Sequence, residues 1–133
     1  VQKGGSAPVE DVLDYGQQVR CKGLTLLSGP GNDLVSTTAL AAAGAHLVLF
    51  TTGRGTPFGA PVPTVKISSN TPLAQHKKNW IDFDAGTAVY GEPLASIGER
   101  LLEYVLQIAS GQQTCTERNG FRGISILKDG VVL

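Results

Sequence analysis

His46-Leu47-Val48-Leu49-Phe50-Thr51 is the clearest strand in the sequence. Its apolar residues follow one another without alternation, which is typical of a strand buried on both faces at the centre of a parallel sheet. Leu24–Leu27 is a second short apolar run, bounded by glycines, and Thr64–Ser68 is a further candidate. The sequence therefore predicts a sheet built from at least these strands.

Helical patterns alternate with the predicted strands. A small-residue helix is expected over Leu34–Ala43, because Asn32 or Asp33 can cap its start and Gly44 can end it. The other predicted helices are Pro8–Val19 after the cap Ser6, one that opens at Thr71-Pro72, and Pro93–Ser110, which carries an apolar stripe and ends at Gly111. The alternation predicts an α/β fold, a Rossmann-like three-layer domain with a mainly parallel sheet covered by helices.

The length of 133 residues suits a single domain. Residues 1–7 are rich in Gly and Ser, so we expect a linker from a missing upstream region, followed by one domain over residues 8–133. The chain contains no Met and begins with Val1, and we therefore expect it to be part of a longer protein. Near its end, Arg122–Lys128 is a further strand candidate and Asp129-Gly130 a turn.

Composition argues against several classes of protein. With 41% apolar residues, 17% charged residues and zero formal net charge, the chain resembles an ordinary globular protein. It has neither a basic patch for nucleic acid nor an apolar run that could cross a membrane, and we expect a cytoplasmic protein with neither partner. Cys21 and Cys115 lack the spacing of a zinc or redox motif and are predicted to be free thiols.

Polar loops follow each predicted strand, at Ser28–Asp33, Thr51–Gly59 and Ser68–Thr71. Ligands of open parallel sheets bind outside the carboxyl ends of the strands. If the strands are parallel neighbours, the loops meet at one edge of the sheet. This edge is the predicted ligand site.

The second loop is the most informative, because Gly53 and Gly55 lie on either side of Arg54. The glycines let the backbone approach a ligand and donate its N–H groups, and the guanidinium could bind a carboxylate with two parallel hydrogen bonds. A glycine-rich turn with a surface arginine is the alternative. The loop matches neither a Walker A motif nor a dinucleotide fingerprint, which argues against nucleotide binding.

Candidate residues also lie in the neighbouring segments. Ser36, Thr37 and nearby backbone donors at the start of the following helix could bind an anion, whereas Asn32 and Asp33 could simply cap that helix. Asn70 could donate a hydrogen bond to a ligand hydroxyl. Lys66 either faces the site or is a solvated lysine on an edge strand.

Asp82 and Asp84 lie two residues apart, on the same side of an extended segment. This spacing suits acid–base chemistry or ligation of a divalent cation by oxygen. The alternation of Ile81 and Phe83 with the carboxylates equally fits a half-exposed strand. No His, Cys and Asp residues cluster in the sequence at the spacing of a metal site.

Four segments together resemble the C-terminal region of the altronate and galactarate dehydratase family: Lys3–Ser6, Gly29–Asp33, Phe50–Gly59 and Trp80–Gly86. The resemblance covers essentially the whole chain. The segments Gln113–Asn119 and Lys128–Val131 look more like the altronate members than the galactarate members.

The resemblance implies a hydro-lyase of hexuronate catabolism that converts D-altronate to 2-keto-3-deoxy-D-gluconate, with galactarate as the alternative substrate. It also implies a divalent cation, iron(II) or manganese, whose ligands lie outside this chain. Family members are several times longer, so we expect this chain to be inactive alone and to form one wall of an active site shared with upstream domains. A non-catalytic assembly module and a homo-oligomer are both compatible with the resemblance.

Under the resemblance, the candidate residues take specific roles. Arg54 and the surrounding residues of the loop would bind the substrate carboxylate, whereas Asn70 and Thr52 would bind its hydroxyls. Asp82 or Asp84 would serve in acid–base or metal chemistry. The full set of predicted substrate-binding residues is Thr51, Thr52, Gly53, Arg54, Gly55, Thr56, Asn70, Asn32 and Lys66.

Overall fold

The computed structural model describes residues 4–127. Its strands are β1 (Val9–Leu13), β2 (Leu24–Leu27), β3 (Val48–Thr52), β4 (Thr64–Ser68) and β5 (Phe83–Asp84). Its helices are α1 (Asp33–Ala43), α2 (Thr71–His76), α3 (Leu94–Ala109) and α4 (Cys115–Arg118), with a 3₁₀ helix over Gly86–Tyr90. Among these residues, no helix is both long enough and apolar enough to span a bilayer.

The strands form two small sheets, one of β1 and β2 and one in the order β3-β4-β5, so β2 does not join β3 and β4 in one sheet as the sequence predicted. Every pairing is parallel, with Thr52 opposite Ser68 and Ile67 opposite Phe83 in the larger sheet. The structure therefore confirms an α/β fold with parallel strands, and it is consistent with a Rossmann-like arrangement. The linker over residues 1–7 and the single domain over 8–133 stay predictions.

β4 lies at the centre of the larger sheet, and all its residues are buried. The prediction that residues 46–51 form a central strand is wrong in this respect, because β3 lies at an edge of its sheet. Leu49 of β3 remains 49% exposed. A continuous apolar run does not by itself distinguish an edge strand from a central one.

The predicted helix over residues 8–19 is also wrong, since the structure forms β1 there. Val9, Val12 and Leu13 fit the helical spacing, but the segment is short and rich in valine, which favours a strand. Pairing with β2 decides the outcome, and Leu13 becomes fully buried.

The strand predicted at 122–128 is absent from its described part, because residues 121–127 have no regular secondary structure. This segment packs by single hydrogen bonds instead, from Gly123 N–H to the Gly59 carbonyl (2.8 Å) and from Ser125 N–H to the Thr38 hydroxyl (3.2 Å). Lys128 and the turn predicted at Asp129-Gly130 lie outside the described residues.

Local signals at the helix ends account for the helices that were predicted correctly. The Asn32 side-chain oxygen accepts from the N–H groups of Leu34 and Val35, and Gly44 ends α1 with φ of 115°. Asn70 caps α2 in the same way, with Pro72 in its first turn. These caps fix where each helix meets the loops at the carboxyl ends of the strands.

The core lies between the larger sheet and α3. It consists of Val65, Ile67, Phe83, Ile97 and Ile108. The apolar stripe predicted for the helix over 93–110 supplies the two isoleucines of α3, so this element is confirmed with bounds one residue shorter at each end.

Candidate functional site

The three predicted loops meet at one edge of the structure. The Asn70 side-chain amide donates to the Gly53 carbonyl (3.0 Å), and Ser69 N–H donates to the Thr52 carbonyl (3.0 Å), so the second and third loops lie side by side. Asp33, at the end of the first loop, lines the same open cleft as residues 49–56. The cleft has a volume of about 560 Å³. This confirms that the loops converge.

The backbone of the second loop is held through its carbonyl groups. The Gly53 carbonyl accepts from Asn70, and the Arg54 carbonyl accepts from the Lys77 ammonium (3.0 Å). The Thr56 carbonyl accepts from the Lys66 ammonium. Because the donors come from both ends of α2 and from β4, the loop is fixed to two separate elements.

Most N–H groups at the tip of the same loop are available to a ligand. Gly55 N–H donates to the Thr52 hydroxyl (2.9 Å), in a turn where Gly55 has φ of 78° and therefore favours glycine. Within residues 4–127, the N–H groups of Gly53, Arg54 and Thr56 donate to no other protein group. Donors of this kind in a short glycine-rich turn are well suited to bind an anion.

The Arg54 side chain is exposed at the cleft and forms no ion pair or hydrogen bond with any other residue of the described range. Asp33 is also exposed and lines the same cleft. The cleft thus presents one cation and one carboxylate, neither of which is neutralised by the rest of this region.

Lys66 lies behind the cleft rather than in it. Its side chain is 0% exposed, so the alternative of a solvated edge-strand lysine is wrong. The ammonium lies 4.6 Å from the ring centre of Phe58 and 5.4 Å from that of Phe50. Burial lowers the pKa of Lys66 to about 8, although the nearby Asp82, Cys115 and Asp33 act in the opposite direction.

Neither Asn70 nor Asn32 lines the cleft, although Asn70 bonds to the cleft residue Gly53 and Asn32 precedes the cleft residue Asp33, and both are used by the fold. The side-chain oxygen of Asn70 caps α2 by accepting from Leu73 N–H (3.0 Å), while its side-chain amide nitrogen donates to the Gly53 carbonyl. Asn32 caps α1, as one of the two interpretations of the sequence predicted. The residues Thr51–Thr56 all line the cleft itself.

Asp82 links three elements that surround the end of the larger sheet. One carboxylate oxygen accepts from Lys66 N–H (2.8 Å), and the other accepts from Cys115 N–H (2.7 Å) and from the Tyr104 hydroxyl (3.3 Å). Burial, with the Asp82 carboxylate as the next cause, raises the pKa of Tyr104 to about 12 and that of Cys115 to about 11. This carboxylate is therefore a structural acceptor for β4, α3 and α4.

Asp84 closes a local turn by accepting from Gly86 N–H (2.8 Å). Neither Asp84 nor Asp82 lines the cleft that contains Arg54. The structure therefore does not bring the two predicted catalytic carboxylates to the predicted binding loop. Their catalytic role stays a prediction.

Lys77 is a contributor that the sequence did not single out. It lies 23 residues from Arg54 along the chain, and only the packing of α2 beside the loop brings them together. The sequence predicts Asp33 only as a helix cap, although a carboxylate in a polar turn after a strand also indicates a ligand site.

No three His, Cys, Asp or Glu side chains come together in residues 4–127 in a way that could hold a metal ion. That the ligands of the divalent cation lie outside this chain stays a prediction. Both cysteines are free thiols, Cys21 exposed and Cys115 buried, as predicted.

Comparison with known proteins agrees with the family resemblance of the sequence. The family model for D-galactarate/altronate dehydratase, C-terminal, matches residues 1–132. The altronate dehydratase of Escherichia coli (strain K12) is 54% identical over 132 residues, which cover 99% of this chain and 27% of the relative. That of Bacillus subtilis (strain 168) is 51% identical over 133 residues, with the same coverage of 99% and 27%.

The galactarate dehydratase (L-threo-forming) of Escherichia coli (strain K12) is 36% identical over 115 residues, 85% of this chain and 22% of the relative. This chain thus spans about a quarter of the length of the relatives it matches. It belongs to the D-galactarate/altronate dehydratase family, and corresponds to the C-terminal domain of that family.

Proposed function

We propose that this chain is the C-terminal part of an altronate dehydratase, a hydro-lyase that converts D-altronate to 2-keto-3-deoxy-D-gluconate and water. The higher identity to altronate dehydratases, 54% and 51% against 36% for a galactarate dehydratase, supports altronate over galactarate as the substrate. Within this enzyme, the loop Thr51–Gly59 binds the substrate carboxylate.

The observation that carries the proposal is that this loop uses its carbonyl groups to bind the rest of the domain and leaves N–H groups available. Its carbonyls at Gly53, Arg54 and Thr56 accept from Asn70, Lys77 and Lys66, whereas the N–H groups at the same positions have no acceptor among the described residues. A carboxylate needs donors only. The guanidinium of Arg54 supplies two in a plane, and the backbone supplies more.

The sugar hydroxyls need both donors and acceptors, and the cleft offers both. Thr51 and Thr52 line the cleft with their hydroxyls, and Asn70, which is held beside the cleft by its bond to Gly53, retains one further N–H. Asp33 adds a carboxylate that can accept from a hydroxyl. A sugar acid with its carboxylate at Arg54 would thus extend along residues 49–56.

The reaction removes a proton from the carbon beside the carboxylate and a hydroxide from the next carbon, and the two leave as water. Loss of the proton moves negative charge onto the carboxylate oxygens. Donors fixed around these oxygens bind the enediolate-like transition state more strongly than the substrate, which lowers the barrier. In this proposal Arg54 and the loop amides supply that stabilisation, and the general base lies outside this chain.

The divalent cation, iron(II) or manganese, is proposed to be bound by residues outside this chain. We further propose that the parent enzyme is cytoplasmic, which the two free thiols support. Upstream domains of the same polypeptide complete the active site, and the parent enzyme assembles as a homo-oligomer.

Replacing Arg54 by Ala tests the proposal in the full-length enzyme. We expect kcat/KM for altronate to fall about 100-fold or more, because a charge-assisted bidentate contact is lost. Arg54→Lys should recover only part of it, since an ammonium cannot form the same paired contact. Steady-state formation of the 2-keto-3-deoxy acid gives the measurement.

Arg20→Ala is the matched control, because Arg20 is exposed and pairs only weakly with Asp11 (3.8 Å) on the other sheet. It should retain wild-type kinetics, and both variants should keep the wild-type thermal unfolding temperature. A wild-type kcat/KM in Arg54→Ala would refute the role of Arg54.

A second candidate function is a non-catalytic assembly module. It is favoured by the outer face of α3, where Leu94, Leu102 and Leu106 are 77%, 60% and 58% exposed. Such a face is suited to contact another part of the parent enzyme. Hydrogen exchange of the full-length enzyme separates the candidates: altronate should protect residues 51–59 if the loop binds substrate, and should leave them unchanged if this domain serves assembly alone.

A further inference from the structure

Lys66 is the most unusual charged residue of the described region. Its side chain is fully buried in the central strand, although lysine is almost never fully buried without a partner of opposite charge. No carboxylate of residues 4–127 lies within 4.0 Å of the ammonium. Its polar partner is instead the carbonyl of Thr56, in the loop that contains Arg54.

Burial of this ammonium costs stability. Moving a charge out of water is unfavourable, and a hydrogen bond to one carbonyl offsets only part of that cost. A methionine could fill the same space without this cost. The contribution of the ammonium must therefore lie in what it holds in place.

The ammonium contacts the loop at more than one point. Besides the Thr56 carbonyl, it lies over the rings of Phe58 in the loop and Phe50 in β3. The two rings meet edge to face, with centres 4.9 Å apart. Gly53, Arg54 and Gly55 lie between Phe50 and Phe58 in the sequence, so Lys66 fixes both ends of the segment that carries the anion-binding donors.

We propose that Lys66 is a positioning residue, whose ammonium fixes the backbone at Thr56 and thereby orients Arg54 and the neighbouring N–H groups toward the substrate carboxylate. This inference rests on the proposed function of the loop. Lys66 does not itself touch the substrate. Its positive charge behind the loop also favours an anion in front of it.

The proposal has a consequence for pH. Burial lowers the pKa of Lys66 to about 8, and the groups that oppose this shift are Asp82, Cys115 and Asp33. The neutral amine forms a weaker bond to the carbonyl and loses its attraction to the rings. Substrate binding should weaken as the pH rises through about 8.

Lys66→Met tests the inference in the full-length dehydratase with altronate as the substrate. The side chain keeps most of its length and its packing against the rings but loses the terminal ammonium and its charge. We expect KM at pH 7 to rise about 10- to 100-fold, with a smaller change in kcat. We also expect the rise in KM that the wild type shows through pH 8 to be absent from the variant.

Lys22→Met is the control, because Lys22 is exposed and lies before β2, away from the cleft. It should keep the wild-type KM and its pH profile. A Lys66→Met enzyme with both wild-type properties overturns the inference. If Arg54→Ala is impaired in the same assay, the carboxylate site itself still stands. A wild-type KM in Arg54→Ala overturns that site, and with it the role of Lys66.

Hydrogen exchange of the wild type provides a test that does not depend on folding of the variant. Exchange of residues 51–59 is measured at pH 7 and pH 9 in the full-length enzyme, with and without the same subsaturating concentration of altronate, and corrected for intrinsic rates. The protection that altronate adds to the loop is expected to be smaller at pH 9 than at pH 7. Equal altronate-induced protection at both pH values overturns the inference.

Discussion

Asp82 and the loop Thr51–Gly59 are both polar, both predicted from the sequence to be functional, and both bonded to Lys66. The backbone N–H of Lys66 donates to Asp82, and its ammonium donates to the loop. They differ in the hydrogen-bonding groups that remain available to a ligand. Both oxygens of Asp82 accept from protein donors, whereas the loop binds the protein through its carbonyls and leaves Arg54 and N–H groups for a ligand.

The comparison teaches that a polar motif is best judged by the hydrogen-bonding capacity that the fold leaves unused. The spacing of Asp82 and Asp84 suggested chemistry, yet the structure uses both carboxylates to join backbone segments. The loop suggested a glycine-rich turn with a surface arginine, yet its backbone is fixed and its donors are available.

Asp82→Ala should have the largest effect on stability. It leaves the N–H groups of Lys66 and Cys115 and the hydroxyl of Tyr104 without their acceptor. We expect a loss of about 3 kcal/mol in the local free energy of opening, since each unsatisfied partly buried donor costs about 1–3 kcal/mol. Hydrogen exchange of the peptides that cover β4 and α4 in the full-length enzyme measures it.

The same variant also tests whether Asp82 is structural rather than catalytic. If exchange in β4 and α4 is unchanged and altronate turnover is abolished, Asp82 is a catalytic residue and the structural role assigned to it is wrong.

Asn70→Ser should have a smaller effect, and one that falls on the loop. Serine can still cap α2 but cannot reach the Gly53 carbonyl, so one of the bonds that fix the loop is lost. We expect stability to fall by about 1 kcal/mol and KM for altronate to rise several-fold, about the value of one hydrogen bond. Asn32→Ser provides the match, because the amide group of Asn32 makes no other bond within residues 4–127.

Asn32→Ser should change the stability of α1 by a few tenths of a kcal/mol at most, since both residues are good caps. Its KM should stay close to that of the wild type. If the two variants raise KM equally, the bond from Asn70 to Gly53 does not orient the loop.

The elements predicted correctly are those with local signals. Asn32 and Gly44 mark the ends of α1, and the apolar stripe of α3 is long enough to identify its buried face. The error at Val9–Leu13 has a non-local cause, because a short valine-rich segment fits either periodicity until β2 pairs with it. Residues 122–127 carried a similar pattern and found no strand to pair with in the described region.

The candidate site likewise has a part that the sequence predicted and a part that depends on non-local contacts. The rule for parallel sheets was sufficient to predict that Arg54 and Asn70 lie at one edge, because it requires only that the two preceding strands are parallel neighbours. The direction of a side chain from a central strand was not predictable. The ammonium of Lys66 and that of Lys77 reach the loop through contacts between residues 10 and 23 positions apart.

The occupied carbonyls of the loop have a consequence for selectivity. Sugar acids in water exchange with their lactones, in which the carboxylate has become an uncharged ring ester. Around Arg54 the loop has donors to give and few acceptors, so a lactone would leave several of them unmatched. In the proposed enzyme this geometry would restrict turnover to the open-chain anion. The rate of lactone hydrolysis would then limit how fast the lactone form of the sugar acid can be converted.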